Sequence, residues 1–275
     1  MSRAAQLVIV LLLIAVVAMG ALVVARSRGH DQQAAPTGAV IYAPCGMTSP
    51  LTTAAHLFRQ THPDIDLNII YDNAIVLVRK IRAGDRPDVF ISPGELEMRQ
   101  MVDEGFVAPD TVRDFGTLDL VVFAPKKTQG LDTIQGLTKP AIRTISLAHP
   151  DYNSVGYYGQ KALQSLGLWE PLKGKLLLRE YPLEAVTLVT QGQVDAGITY
   201  LTCPLDTAPE KADASDVRII ETFARDSYPP VRCQIGILKE SEHRDLARQF
   251  IDFMVSDQAQ EIIAVHGLLP AKEIK

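Results

Sequence analysis

Short apolar runs alternate with longer stretches of helical periodicity from residue 39 almost to the C-terminus. The runs are rich in β-branched residues and are bounded by turn residues, which is typical of buried strands. The predicted strands are residues 39–43, 67–71, 88–92, 118–124, 144–148, 176–181, 196–200, 217–223 and 234–239. Strands that alternate with helices predict an α/β fold with mainly parallel sheets, and no repeat of fixed period indicates a solenoid or propeller.

The order of these elements predicts two lobes. The first lobe is expected to hold residues 39–119 and 232–275, and the second lobe residues 120–231. The strands at residues 118–124 and 234–239 then cross between the lobes as a hinge. Two closing helices, residues 241–255 and 257–266, are expected to pack back on the first lobe.

Helix boundaries are marked by capping residues and glycines. Ser92 and Glu95 have the spacing of a capping box, Ser256 precedes the last helix as an N-cap, and Asn153 or Ser154 is expected to cap a helix in the middle of the chain. Glycines at the ends of five helical segments predict C-terminal stops, because glycine adopts the left-handed conformation that ends many helices. They are Gly84, Gly105, Gly167, Gly192 and Gly267.

The N-terminus has a different composition from the rest of the chain. An apolar run covers residues 7–25 behind Arg3, and a run of this length is directed to a membrane. Residues 1–28 are therefore predicted to be a signal peptide or an uncleaved membrane anchor. Residues 29–38 contain Gly, Gln and Pro and are predicted to be a linker. The domain that follows is expected in the periplasm or another extracytoplasmic space.

Charge and motifs restrict the function. The chain has 27 basic and 32 acidic residues and a net charge of −5, which argues against a nucleic-acid partner. It has no nucleophile elbow, zinc-protease motif or phosphate-binding Walker loop, so no enzymatic activity and no cofactor are expected. The alternative from the enzyme class is a thiol-redox protein centred on Cys45.

Two strand-to-helix turns are the most informative motifs. Residues 42–51 (YAPCGMTSPL) end an apolar strand and open a helix, where backbone N–H groups and the positive end of the helix dipole favour anions. Residues 71–84, followed by 87–92, repeat this arrangement. These motifs resemble the periplasmic molybdate-binding proteins, and further segments match that family in order and spacing: residues 120–126, 149–163, 166–169 and 197–200.

The resemblance implies a type II periplasmic-binding fold and a solute-binding protein that delivers its ligand to an ABC permease. In that family two lobes close on a tetrahedral oxyanion such as molybdate or tungstate. Two serine hydroxyls, backbone amides and one tyrosine hydroxyl hold the anion. The match places Tyr200 at the tyrosine and Val155 at an amide donor.

Three positions depart from the family pattern. Gly46 and Ala74 stand where the two serines are expected, and Pro182 stands where a backbone N–H is expected but has none. Each lost hydrogen bond to a charged ligand removes roughly 1.5–3 kcal/mol, so molybdate is predicted to bind much more weakly than in the family. With a shift of register by one residue, the donors that could replace the lost ones are Asn73, Thr48 and Ser49.

Other side chains near the two turns leave the ligand open. Asp72 opposes a dianion unless a cation or a proton intervenes. Cys45 is either a small buried residue or a thiolate at a helix N-terminus. Cys203 and Cys233 are expected to form a disulfide. The alternative is that Cys45, Cys203, Cys233 and Met47 bind a soft metal ion, so that the same fold takes a metal or another non-oxyanion solute.

Overall fold

The structure is a computed structural model that describes residues 38–206 and 216–271. The predicted leader at residues 1–28 and nearly all of the predicted linker at residues 29–38 lie outside the described residues. Within the described part of the chain, no helix is long and apolar enough to cross a membrane.

Strands and helices alternate along the described chain. The strands are β1 (Ala39–Pro44), β2 (Leu67–Asp72), β3 (Val89–Ser92), β4 (Arg113–Leu118), β5 (Leu120–Pro125), β6 (Ile145–Ala148), β7 (Leu176–Arg179), β8 (Ala196–Tyr200), β9 (Val217–Thr222), β10 (Val231–Ile237) and β11 (Leu269–Pro270). The α-helices are α1 (Thr48–Thr61), α2 (Ala74–Ala83), α3 (Glu95–Asp103), α4 (Ser154–Ser165), α5 (Trp169–Leu172), α6 (Pro182–Thr190), α7 (Thr202–Asp206), α8 (Arg244–Met254) and α9 (Asp257–Val265).

The strands form two mixed sheets. The first sheet has the order β11-β4-β10-β3-β1-β2, and the second has the order β7-β6-β8-β5-β9. In the first sheet β1 is parallel to β2 and β3, whereas β10 is antiparallel to β3 and β4. In the second sheet β6 is parallel to β7 and β8, whereas β5 is antiparallel to β8 and β9. The prediction of mainly parallel sheets is therefore wrong.

The antiparallel pairs arise where the chain passes between the sheets. The predicted strand 118–124 is two strands, because β4 ends at Leu118 in the first sheet and β5 begins at Leu120 in the second. Hydrogen bonds fix Asp119, the residue between the two strands. Its carboxylate accepts hydrogen bonds from Arg225, and its carbonyl accepts one from Leu201 N at 2.9 Å. The lobe boundaries inferred from the sequence stay a prediction.

Most of the predicted helix boundaries are present. Ser256 caps α9 by accepting from Ala259 N, and Asn153 caps α4 by accepting from Gly156 N. The capping box at Ser92 is wrong, because Ser92 stays in β3 and α3 begins two residues after Pro93, with Gly94 as its N-cap. All five predicted stop glycines have positive φ: Gly84, Gly105, Gly167, Gly192 and Gly267.

The closing helices contact elements of the first sheet, as the sequence predicts. The fully buried ring of Phe58 on α1 meets Phe250 and Phe253 of α8 edge-on, with ring centroids 5.4 Å apart in each pair. On α9, Gln260 Nε2 donates to Phe115 O of β4 at 2.8 Å. Removing a buried aromatic side chain such as Phe58 costs about 3–5 kcal/mol, so the ring contacts hold α8 firmly against α1. The Gln260 hydrogen bond joins α9 to the first sheet.

Candidate functional site

A cavity of about 360 Å³, called the cleft below, lies where turns from the two sheets face each other. Its wall contains each of the nine residues that the sequence predicts to bind the ligand: Cys45, Gly46, Met47, Thr48, Asn73, Ala74, Val155, Pro182 and Tyr200. Pro93, Glu97, Ser154, Thr202 and Cys203 also line the cleft. The structure thus brings together residues that are distant in the sequence, from the end of β1 to the end of β8.

Four helices of nine or more residues begin at the wall of the cleft. Thr48 opens α1, Ala74 opens α2, Ser154 opens α4 and Pro182 opens α6. The first amides of a helix have no intrahelical acceptor, and the helix dipole places partial positive charge there. Two of these helices follow strands of the first sheet and two follow strands of the second, so the electrostatics of the cleft favour an anion held between the sheets.

The N-terminus of α4 offers one uncommitted amide. Gly156 N donates to Asn153 Oδ1 at 3.0 Å, and Ser154 N donates to Glu97 Oε1 at 2.9 Å. No acceptor for Val155 N is found in the described part of the chain, and Val155 lies in the wall of the cleft. A side chain is excluded at Gly156, because an added Cβ would lie 2.3 Å from Ala148 O. Close packing therefore fixes the turn that presents the Val155 amide.

The Cys203 side chain crowds the position of the missing serine in the turn after β1. An added Cβ on Gly46 would lie 2.8 Å from Cys203 Sγ, which is closer than real Cβ contacts. The Thr48 hydroxyl donates to Cys45 O at 2.7 Å, so its proton is already used within the turn. Ser49 lies outside the residues that line the cleft. Neither hydroxyl replaces the donor absent at Gly46.

The turn after β2 places a cation beside the acidic residue. Asp72 Oδ2 accepts from Lys80 Nζ at 2.9 Å, and Asp72 Oδ1 accepts from Asn73 N at 2.8 Å. Lys80 therefore offsets the repulsion that Asp72 would exert on an anion. Ala74 is buried in the wall and offers no hydroxyl, whereas Asn73 Oδ1 is buried with no hydrogen-bond partner in the described chain. Asn73 is the polar side chain of this turn that faces the cleft.

A polar cluster opposite these turns joins the predicted Tyr200 to residues that the sequence did not predict to bind the ligand. Glu97 of α3 and Tyr200 of β8 are almost fully buried, with 3% and 2% of their surface exposed. Glu97 Oε2, Ser154 Oγ, Tyr200 Oη and Thr202 Oγ1 have no hydrogen-bond partner among the described residues. The sequence contained one signal for the burial of Glu97. Glu97 lies four residues before the buried Met101 and therefore shares its helix face.

Burial sets the protonation of this cluster. Burial raises the pKa of Glu97 against the lowering effect of its hydrogen bond from Ser154 N. Burial also raises the pKa of Tyr200, and the neighbouring Glu97 raises it further. The Ser154 hydroxyl lies near enough to lower the pKa of both groups, although it forms no well-aligned hydrogen bond with either. Burial therefore shifts both groups toward their neutral, protonated forms.

The three cysteines form neither a disulfide nor a metal site. The predicted disulfide between Cys203 and Cys233 is wrong, because Cys203 faces the Gly46 turn whereas Cys233 Sγ lies 3.8 Å from Pro93 O. Within the described residues, no group of three His, Cys, Asp or Glu side chains could hold a metal ion. Burial, together with the neighbouring Cys203 and Asp72, raises the pKa of Cys45 to about 12, so its thiol is neutral.

One exposed contact joins elements of the two sheets beside the cleft. Arg79 of α2 forms an ion pair with Glu180 and donates to Tyr181 Oη at 3.0 Å. Glu180 and Tyr181 directly precede Pro182, the first residue of α6. The buried hydrogen bond from Ser154 N to Glu97 makes a second such connection, so the cleft is bridged both at its surface and in its interior.

Comparison with known proteins identifies the family. The model of the family described as bacterial extracellular solute-binding protein matches residues 39–269. The chain is 24% identical over 238 residues to the molybdate-binding protein ModA of Haemophilus influenzae, covering 85% of this chain and 91% of ModA. It is 26% identical over 232 residues to ModA of Escherichia coli, covering 82% of this chain and 87% of that protein.

Solved structures agree on the fold. The periplasmic molybdate-binding protein of Azotobacter vinelandii superimposes with a TM-score of 0.68 at 21% identity, over 84% of this chain and 98% of that one. This likeness confirms the α/β two-lobe periplasmic-binding fold that the sequence motifs predict. Because the family model covers most of the chain, the protein belongs to the bacterial extracellular solute-binding proteins.

Proposed function

We propose that this protein is the extracytoplasmic receptor of an ABC importer and binds a molybdate- or tungstate-type oxyanion in the cleft. The observation that supports this most strongly is the convergence of four helix N-termini, two from each sheet, on one cavity. A charge at a helix terminus gains roughly 0.3–1 kcal/mol, and up to about 2 kcal/mol where it is partly buried. The relatives named ModA bind molybdate, which agrees with this electrostatic preference.

The residues in the wall have different roles in this proposal. Tyr200 Oη and the Val155 amide donate to the anion, and Asn73 donates through the Nδ2 group of its side chain. Gly46, Ala74 and Pro182 line the site without the donors expected at their positions. Cys45, Met47 and Thr48 shape the first turn around the ligand. Because three donors are missing, molybdate binds this chain more weakly than a site with a full set of donors would.

A ligand panel tests the proposal directly. The full-length chain is titrated by calorimetry with molybdate, tungstate, sulfate and phosphate. Molybdate and tungstate are expected to bind, and Tyr200→Phe is expected to weaken binding about 10–150-fold, the equivalent of roughly 1.5–3 kcal/mol for a hydrogen bond to a charged group. The control is Tyr152→Phe, because Tyr152 is 54% exposed and lies outside the wall of the cleft. Failure of all four anions to bind would refute the proposal.

The size of the cleft favours a second candidate ligand, an organic oxyanion such as a phosphate ester. Cavities of roughly 300–1,000 Å³ with apolar walls are usual for organic ligands, and this cleft has about 360 Å³. Met47, Ile75, Leu183 and Val186 give it apolar sides. The same calorimetry therefore includes phenyl phosphate and glycerol phosphate. Tighter binding of either compound than of molybdate would favour this candidate.

The proposed location also has a test. Residues 7–25 are proposed to direct the chain to the membrane, and the relatives are extracellular solute-binding proteins. A protease added to intact spheroplasts is expected to digest the domain, since an importer receptor meets its ligand outside the cytoplasm. Full protection until the cells are lysed would contradict this location.

A further inference from the structure

Glu97 is a buried acid in the wall of the cleft to which the proposed oxyanion site assigns no role. Its Oε1 accepts from Ser154 N at 2.9 Å, which joins α3 to the start of α4. Its Oε2 is buried and has no hydrogen-bond partner within the described chain. One oxygen of the carboxyl group is therefore hydrogen-bonded to the protein. The other oxygen, Oε2, is available to a ligand, because Glu97 lines the cleft.

Three hydroxyls share this condition. Ser154 Oγ, Tyr200 Oη and Thr202 Oγ1 are buried without partners in the described residues, and all three residues line the cleft. Together with Glu97 Oε2 they give the cleft four buried polar atoms that no described protein group engages and that a ligand can reach. Hydroxyls donate hydrogen bonds to anions. The cluster is thus complementary to a ligand that offers several acceptor oxygens.

The charge of Glu97 decides whether it joins such a set of donors. An ionised carboxylate has only acceptors and repels an anion, whereas a carboxylic acid has one O–H donor. Burial raises the pKa of Glu97, which favours the acid. The titratable groups facing α3 from β8, α4 and β10 are Tyr200, Tyr158 and Cys233, and burial raises the pKa of each.

Two basic residues near α3 are paired with acids other than Glu97. Glu95, on the same helix, lies 3.5 Å from Arg232 Nε. Arg82 of α2, which also packs against α3, pairs with Glu104 at the far end of the helix. Neither basic group is paired with Glu97, so neither stabilises its carboxylate form as a counterion.

We propose that Glu97 binds the ligand as a neutral carboxylic acid, donating its Oε2 proton to an oxygen of the anion beside the hydroxyls of Ser154 and Tyr200. This inference rests on the proposed oxyanion function of the cleft. When the unliganded carboxyl is ionised, binding takes one proton from solvent and forms the O–H bond of Glu97, and no other covalent bond changes. The receptor therefore binds a dianion and a proton together, and its affinity falls as the pH rises.

The test uses calorimetry on the full-length chain with dilute sodium molybdate from about pH 6.5 to about pH 9, because linked proton uptake changes the affinity with pH. Buffers of different ionisation enthalpy count the protons taken up. The dissociation constant is expected to be constant at low pH and then to rise about tenfold per pH unit, with uptake of about one proton. Glu97→Gln keeps a donor and an acceptor in place, so it is expected to bind molybdate with no proton uptake and no rise.

Glu95→Gln is the matched control, because Glu95 lies on the same helix but outside the wall of the cleft. It is expected to keep the pH profile of the unsubstituted chain. Binding without proton uptake at any pH, or proton uptake that persists in Glu97→Gln, would overturn the role of Glu97 and leave the oxyanion function intact. Absence of binding in both the unsubstituted chain and Glu97→Gln would instead refute the oxyanion function, and the role of Glu97 with it.

Discussion

The contact between Gly46 and Cys203 predicts why the first serine of the family cannot simply be restored. An added Cβ on Gly46 would lie 2.8 Å from Cys203 Sγ, and Cys203 is only 9% exposed. The backbone itself accepts a side chain, because Gly46 is not among the glycines with positive φ. Gly46→Ser is therefore predicted to clash with the Cys203 side chain, although the backbone conformation at residue 46 accepts a serine.

The magnitudes follow from this geometry. Inserting an extra group into a packed interior costs about 1–3 kcal/mol, so Gly46→Ser is expected to lower the free energy of unfolding by that amount. Cys203→Ala removes the opposing sulfur, and the double variant is expected to recover most of the loss. In the double variant the new hydroxyl faces the cleft. One hydrogen bond to an anion is worth roughly 1.5–3 kcal/mol, which corresponds to about 10–150-fold tighter molybdate binding.

A double-mutant cycle provides the assay. Thermal or urea unfolding gives the stability of the four variants, and calorimetry gives their molybdate affinity. Gly174→Ser is the matched control, since Gly174 has open space around its Cβ position, and it should change neither quantity appreciably. A Gly46→Ser variant as stable as the original chain would refute the clash. A double variant that binds molybdate no more tightly than Cys203→Ala would refute the gain of a hydrogen bond.

Three further predictions concern charges around the cleft. Lys80→Met is expected to weaken molybdate binding several-fold, because the Asp72 carboxylate then loses its cation and repels the anion. Calorimetry measures the affinity, and adding Asp72→Asn to the Lys80→Met chain should restore it. Arg79→Ala is expected to weaken binding by no more than about fivefold and only at low salt, since its ion pair with Glu180 is exposed; an equal loss in high salt would contradict this. Folding raises the pKa of Glu97, so the protonated side chain stabilises the folded state. In thermal unfolding this stabilisation should be complete below the ordinary glutamate pKa and should be lost as the pH rises through the pKa of Glu97 in the folded protein. Glu97→Gln should remove this pH dependence.

Local signals in the sequence predicted most of the fold. Positive-φ glycines, buried β-branched runs and the caps at Asn153 and Ser256 are determined by neighbouring residues, and the structure has them where the sequence places them. Strand β4 was missed because Arg113 and Asp114 interrupt its apolar character. The direction of the crossing strands was missed for a different reason, since it depends on the break at Asp119 and on which sheet each strand joins.

The site shows the same division between local and long-range information. The two turns were found because a strand followed by a helix presents amides whatever the rest of the chain does. The disulfide was wrong because spacing along the chain does not tell which way Cys203 faces, and it faces Gly46. Glu97 was missed because an acidic residue on a helix with many charges usually points to solvent. Its burial follows only from the packing of α3 against α4 and β10.

The departures from the family pattern and the unexpected polar cluster have a common physical consequence. The expected hydrogen-bond donors are missing near the start of α1, α2 and α6, at Gly46, Ala74 and Pro182. The hydroxyl and carboxyl oxygens of the cleft that have no partner in the described chain lie instead on α3, α4, β8 and α7, and they belong to Glu97, Ser154, Tyr200 and Thr202. An anion gains most where donors are not already paired, so we expect the proposed anion to lie closer to Glu97 and Tyr200 than to the turns of the first sheet. Near the turns the cleft is then left mainly with apolar side chains. A ligand that fills the whole cavity would therefore place its oxygens at this cluster and a less polar part beside Met47 and Ile75.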